Sequence, residues 1–67
     1  MTALVNAKLA LSAAMTDQGL SNVEMGKRLG VDEKAIRRLR DPMHCSRIEQ
    51  VDAALRQLGK RLVIEIV

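Results

Sequence analysis

The sequence contains no Phe, Tyr or Trp and a single cysteine. Without aromatic rings a protein lacks the platform on which sheet-based readers stack single-stranded bases, so that class is disfavoured. One cysteine can neither close an internal disulfide nor supply a Cys-rich zinc site, which disfavours stapled secreted mini-proteins and zinc fingers. Because 48% of the residues are hydrophobic and none is aromatic, the core is predicted to be aliphatic.

The chain also lacks a long apolar segment. No apolar run approaches the roughly 18 residues that a membrane-spanning helix needs. The stretch Ala3–Ala14 is interrupted by Asn6, Lys8 and Ser12, and no basic segment precedes it, so it does not have the pattern of a signal peptide. At 67 residues the chain is predicted to form one domain, 1–67. Its expected location is the cytoplasm, with no membrane partner.

Positive charge is concentrated in one part of the chain. The net charge is +3 overall, whereas the window Lys27–Arg47 contains seven basic and three acidic residues and the remainder is slightly acidic. Such a cluster has two interpretations, a solvated helix face or a surface that binds a polyphosphate.

Capping residues and helical periodicity predict four helices. Ser21 and Ser46 are each followed three residues later by a glutamate, which is the capping-box arrangement. Asp32 is a further N-cap, and Gly30 predicts the end of a helix because glycine adopts the left-handed conformation without steric cost. The predicted helices cover about 4–18, 22–29, 33–40 and 47–58.

The first predicted helix has two apolar faces. A surface helix needs only one, so the second indicates either that a partner subunit or a missing domain covers it, or that the small domain wraps around it. One face consists of Leu4, Ala7, Leu11, Ala14 and Met15, and the other of Val5, Leu9 and Ala13.

The C-terminal run changes period and predicts a strand at about 61–67. Since the sequence predicts no second strand, the run is expected either to be disordered or to pair antiparallel with the same strand of a second subunit, and we favour pairing. The predicted fold is therefore mainly α, with four short helices, a central lambda-repressor-like helix-turn-helix, and a C-terminal β-strand that pairs with a second subunit. The predicted dimer interface consists of Leu62, Val63, Ile64, Glu65, Ile66 and Val67.

The segment Asn22–Arg40 has the pattern of a helix-turn-helix. That motif needs a very small residue where its helices cross, a glycine at the turn, and apolar side chains behind the second helix. Gly26 meets the first requirement, although alanine is the usual residue there, and Gly30 meets the second. The third is met by Val31, Ile36 and Leu39.

The outer face of the third predicted helix is suited to reading duplex DNA. Arginine and lysine can donate to guanine in the major groove, and Glu33 either accepts from cytosine or only stabilises the helix N-terminus. The predicted base contacts are Glu33, Lys34, Arg37 and Arg38. The predicted phosphate contacts are Ser21, Asn22, Lys27, Arg40, His44, Ser46 and Arg47.

His44 and Cys45 are adjacent, which could indicate a metal site or a nucleophile with its base. The sequence has no second histidine or cysteine to complete a metal site, and catalysis would need an orienting group and a pocket. We therefore predict no enzyme, no metal and no cofactor. His44 is expected either to lie near a phosphate or to be a plain loop residue.

Taken together, the chain resembles the C-terminal DNA-binding domain of HicB-type antitoxins. The resemblance covers the opening helix, the helix-turn-helix, the D-P-M-H-C-S loop at Asp41–Ser46, and the A-L-R-Q-L-G-K-R-L stretch at Ala54–Leu62. It implies a homodimeric module that binds double-stranded operator DNA and represses its own toxin–antitoxin operon. No part of this sequence resembles the N-terminal domain that neutralises the toxin in that family, which is expected if the chain is one domain of a longer antitoxin. A cognate toxin is therefore implied as a partner only through that domain.

Two other interpretations remain open at this point. The chain is alternatively a stand-alone regulator of phage or plasmid type, built on the same module. A different class of function is a small protein-interaction module that adds its terminal strand to a partner's sheet.

Overall fold

A computed structural model of the protein describes residues 2–61, and this part of the chain consists of four helices joined by short connections. No helix within it has both the length and the apolar character needed to span a membrane. The helices are α1 (Ala3–Asp17), α2 (Asn22–Leu29), α3 (Glu33–Arg40) and α4 (Ile48–Gln57).

Side-chain caps determine where the first three helices begin. The Thr2 hydroxyl accepts a hydrogen bond from the Val5 amide at 3.2 Å. Ser21 and Glu24 form the predicted capping box, in which each side chain accepts from the other residue's backbone N–H. The Asp32 carboxylate accepts from the Ala35 amide at 2.9 Å. The predicted caps at Ser21 and Asp32 are therefore confirmed, and each satisfies N–H groups that a helix leaves without partners.

The predicted cap at Ser46 is wrong. Helix α4 begins at Ile48, and its N-cap residue is Arg47, which makes no side-chain cap hydrogen bond. The Ser46 hydroxyl instead lies 2.8 Å from the Lys8 ammonium, so a contact with the first helix takes the hydroxyl away from the capping position.

The core is aliphatic and lies where α1 packs against α4 and α3. Leu11 and Met15 of α1, Met25 of α2, Ile36 of α3 and Val51 of α4 are fully buried. The Gln18 side chain also donates to the Leu58 carbonyl at 2.9 Å and joins the ends of α1 and α4. The complete cluster is Ala7, Leu11, Ala14, Met15, Met25, Ile36, Leu39, Val51, Ala54, Leu55 and Leu58.

The predicted fold class needs a correction. Over residues 2–61 the structure contains helices and no strand, so an architecture with a C-terminal strand paired to a second subunit is not supported. That strand was predicted from the changed period and the β-branched character of the terminal run, and the preference of such residues for strands depends on context. The predicted interface Leu62–Val67 lies outside the described residues.

The second apolar face of α1 is not wrapped by the part of the chain that the structure describes. Val5 is half-buried, while Leu9 and Ala13 are exposed, Leu9 to 45%. Of the two interpretations of this face, wrapping by the small domain is therefore not observed within residues 2–61.

The connection between α2 and α3 depends on Gly26 and Gly30. Gly30 ends α2 in the left-handed conformation, at φ 72°, which glycine adopts without the penalty of a Cβ. A Cβ placed on Gly26 would lie only 2.6 Å from the Val31 carbonyl oxygen. Val31 itself is 43% exposed, so its predicted place behind the second helix is wrong, and its backbone rather than its side chain packs against α2.

We predict that Gly26→Ala destabilises the protein. The backbone of Val31 would have to move away from the new methyl group, at a cost of about 1–3 kcal/mol, which outweighs the gain of about 1 kcal/mol in helix propensity. Urea unfolding monitored by far-UV circular dichroism should show a net loss of up to about 2 kcal/mol in the free energy of unfolding.

Lys27→Ala is the matched control, because Lys27 is an exposed residue of the same helix and its change should stay within about 0.5 kcal/mol. A Gly26→Ala protein as stable as the control would contradict the close approach of the two helices.

Candidate nucleic-acid interface

Helix α3 presents a basic surface because only two of its side chains are buried. Ile36 and Leu39 are buried, whereas Lys34, Arg37 and Arg38 are exposed. Lys34 lies three and four residues from these two arginines, so the three cations share one helix face. The structure therefore brings the predicted basic base-contact residues together on one exposed surface.

Glu33 and Arg37 form an exposed ion pair on the edge of this surface. The Arg37 Nη2 and Nε atoms lie 3.0 Å and 3.1 Å from Glu33 Oε1. Such an i,i+4 pair stabilises a helix by only about 0.3–0.5 kcal/mol. The pair holds Arg37 extended along α3, yet it is weak enough for Arg37 to exchange its partner for a ligand.

The predicted phosphate contacts do not form one uniform group. Lys27, His44 and Arg47 are exposed. Ser21 is exposed as well, but its hydroxyl and its N–H are both engaged in the capping box. Three others, Asn22, Arg40 and Ser46, are half-buried.

Arg40 joins α3 to both preceding helices. Its Nη1 atom donates to the Asn22 side-chain oxygen at 2.6 Å, and its Nε atom donates to the Ser12 hydroxyl at 3.1 Å. These bonds place the guanidinium between the start of α2 and the middle of α1. In the free protein Arg40 and Asn22 therefore satisfy each other, and their observed role is to hold helices together.

Lys8 is fully buried, and its ammonium lies among four oxygens. It is 2.8 Å from the Arg38 carbonyl, 2.9 Å from the Asp41 carbonyl, 2.7 Å from the His44 carbonyl and 2.8 Å from the Ser46 hydroxyl. An ammonium has three N–H donors, so one of them is shared between two oxygens. A single side chain of α1 thus binds the last turn of α3 and three points along the following loop.

Burial lowers the pKa of the Lys8 ammonium from its ordinary value of 10.5, and the nearby Asp41 and Cys45 oppose that effect. The carbonyl oxygens around Lys8 can only accept hydrogen bonds, which favours the donor-rich ammonium over the neutral amine. One of them, the Arg38 carbonyl, belongs to the last turn of α3, and positive charge is favourable at the C-terminal end of a helix.

The loop Asp41–Ser46 contains few bonds of its own. The His44 amide donates to the Asp41 carbonyl at 3.1 Å, and the Met43 amide donates to the Asp41 carboxylate at 2.9 Å. The Ser46 hydroxyl makes a longer contact of 3.4 Å with the Arg38 carbonyl. The loop is exposed, Met43 to 90%, so apolar packing contributes little to its conformation.

Sequence reasoning missed the role of Lys8, although a pattern for it was present. Lys8 follows Ala7 and precedes Leu11 by three residues, so it lies on the face of α1 that carries the apolar residues. It was interpreted only as an interruption of an apolar run. A lysine on a core-facing position predicts a buried charge, and a buried charge needs partners.

The loop side chains do not assemble a metal centre. Over residues 2–61 no three His, Cys, Asp or Glu side chains lie close enough together to hold a metal ion. Cys45 is exposed and lines an open groove of about 500 Å³ between α3 and α4, together with Arg38, His44 and Arg47.

Comparison with known proteins gives one informative similarity. The chain is 39% identical over 66 residues to the antitoxin HicB of Pseudomonas fluorescens strain Pf0-1. This similar protein is named as an antitoxin. The match covers 98% of this chain and 45% of the relative, so the chain spans less than half of that protein's length. No protein-family model matches the chain, and no solved structure matches it.

This similarity supports the resemblance to HicB-type antitoxins that the sequence indicated. The name of the relative does not mention DNA binding, dimerisation or repression. Those functions, and the residues predicted to carry them, remain predictions.

We predict that Arg40→Ala lowers stability, while Arg38→Ala does not. Removing Arg40 leaves the half-buried Asn22 and Ser12 side chains without their donor, which should lower the free energy of unfolding by about 1–2 kcal/mol. Arg38 has the same side chain in an exposed position, so its removal should change stability by less than about 0.5 kcal/mol. Thermal unfolding of the two variants measures the difference, and equal stability would contradict a joining role for Arg40.

Proposed function

We propose that this chain is the DNA-binding part of a HicB-type antitoxin and that it binds duplex DNA sequence-specifically through the exposed face of α3. The observation that carries this proposal is the grouping of Lys34, Arg37 and Arg38 on one face of a short helix whose other face is buried. In helix-turn-helix proteins the second helix of the pair lies in the major groove, where arginine and lysine donate to guanine.

The arrangement of α2 and α3 supports this proposal physically. Gly26 allows the two helices to approach closely, and the basic face of α3 is left exposed. Glu33 is then available either to accept from cytosine or to keep Arg37 extended by their ion pair. Both roles place Glu33 at the edge of the reading surface.

Phosphate contacts are assigned to the exposed cations that flank α3. Lys27 lies in the last turn of α2, and Arg47 lies just beyond the loop that follows α3. His44 lies in the loop that follows α3, three residues before Arg47. Its ring can donate a hydrogen bond to phosphate. Phosphate contacts fix the register of a protein on DNA and contribute the salt-dependent part of its affinity.

We further propose that the protein acts as a homodimer on its operator and represses its own operon. A single chain presents one reading helix, which covers one half-site, and helix-turn-helix proteins commonly bind two half-sites as symmetric dimers. A dimer bound at the operator of a toxin–antitoxin operon would block transcription from it. No residue of this chain is assigned to contact with a toxin, because the chain matches less than half of its antitoxin relative.

The test is selection of bound sequences from a random duplex library, followed by fluorescence anisotropy with the selected and the scrambled duplex. Specific binding predicts a preference of about 10³-fold or more at physiological salt, and sedimentation of the complex gives the number of chains per duplex. Equal affinity for the selected and scrambled duplexes would refute sequence-specific binding, and one chain per palindromic duplex would refute the dimer.

We predict different signatures for the base-contact and phosphate-contact residues. Lys34→Ala and Arg37→Ala should each weaken binding to the selected duplex by about 1–3 kcal/mol and reduce discrimination between bases. Lys27→Ala should weaken binding to every duplex alike and reduce the slope of log affinity against log salt by about 1.

Lys60→Ala is the control for loss of one positive charge, because Lys60 is exposed beyond α4. If Lys34→Ala and Arg37→Ala left base discrimination unchanged, α3 would not be the reading helix.

A further inference from the structure

We propose that Lys8 is a positioning residue for DNA binding: it holds the loop Asp41–Ser46 in the conformation that places Arg47 and His44 beside the DNA backbone. This inference rests on the proposed function, since it concerns the same surface. Lys8 itself is buried and has no access to DNA, so its effect is exerted entirely through the residues that it binds.

The first step is the contact of Lys8 with the end of α3. The last carbonyls of a helix have no intrahelical N–H partner. The Asp41 amide donates to the Arg37 carbonyl at 2.9 Å, and the Lys8 ammonium donates to the next one, the Arg38 carbonyl, at 2.8 Å. Lys8 therefore provides a donor for one end carbonyl of the turn that carries Arg37 and Arg38.

The second step is the dependence of the loop on the same ammonium. The bonds from Lys8 to the Asp41 and His44 carbonyls are 2.9 Å and 2.7 Å long, and the Ser46 hydroxyl is held at 2.8 Å. The internal bonds of the loop all involve Asp41, at its beginning, whereas its second half is joined to the body of the protein by Lys8 and by the long Ser46 contact. Because the side chains of residues 41–45 are exposed and Ser46 is only half-buried, Lys8 is the main restraint on the path of the loop within residues 2–61.

The third step is the location of the proposed phosphate contacts. His44 supplies one of the carbonyls that Lys8 binds, and Arg47 directly follows Ser46, which Lys8 also binds. Removing the ammonium would release both residues from their fixed distance to α3. Lys27, in contrast, lies on α2 and is exposed, so it should not depend on Lys8.

The test is a pair of double-mutant cycles on the selected duplex, with Lys8→Met as the central variant. Methionine retains most of the apolar stem of lysine and removes the ammonium. We expect Lys8→Met to weaken binding by about tenfold and to reduce the salt slope by about 1, the contribution of one lost phosphate contact. In this background Arg47→Ala should have less than about a twofold further effect, whereas Lys27→Ala should retain its full effect.

This design separates positioning from loss of folding. A variant that is merely less folded has a smaller active fraction, but its salt slope is unchanged, and Arg47→Ala and Lys27→Ala both retain their full effects. Lys60→Met is the matched control for the substitution itself, at an exposed lysine, and it should leave the Arg47 effect intact. Circular dichroism of each variant shows whether it is folded at the temperature of the assay.

Ser46→Ala provides a second route if Lys8→Met does not fold. It keeps the ammonium and removes one of its four partners, so it should reduce the effect of Arg47→Ala in the same direction. Full additivity of Arg47→Ala with the folded Lys8 or Ser46 variant would overturn the role of Lys8 while leaving the proposed function standing. Absence of specific DNA binding by the wild-type protein would overturn the proposed function itself, and this inference with it.

Discussion

The ammonium of Lys8 is the interaction on which the arrangement of α1, α3 and the following loop depends. A core without aromatic residues has no ring that could anchor an exposed loop by packing. A charged group bound to three carbonyls and a hydroxyl provides that anchor in a different way, because hydrogen bonds from a charged donor are short and strong. Burying the charge has an energetic cost that the four hydrogen-bond partners offset. A buried ammonium that lost these partners would strongly lower the free energy of unfolding.

The surface of α3 remains available because the helix is held by its two ends and by few side chains between them. The Asp32 cap fixes its first turn, and Lys8 and Arg40 fix its last. Gly26 brings α2 close beneath it. Only Ile36 and Leu39 are buried in the core, so the greater part of the circumference of α3 can carry polar side chains without loss of stability.

Much of the helical framework could be predicted from local sequence, and the contacts between distant segments could not. Caps such as Ser21 and Asp32 act within three residues, so the bounds predicted for the second and third helices match those of α2 and α3. The Ser46 cap failed because its hydroxyl is bound by a residue 38 positions earlier. Arg40 was predicted only as a phosphate contact, and its bonds to Ser12 and Asn22 were not foreseen for the same reason, since these partners lie on α1 and α2. The terminal strand was predicted from the alternating, β-branched pattern of the last residues, and such a pattern indicates a preference without identifying a partner strand.

Cys45 offers a single position at which a spectroscopic label can be attached. It is the sole thiol of the sequence, it is exposed, and it lies in the loop whose carbonyls Lys8 binds. Since the chain contains no tryptophan or tyrosine, it has almost no ultraviolet emission of its own. A single dye or spin label attached to Cys45 would therefore report the motion of this loop without background from the rest of the protein.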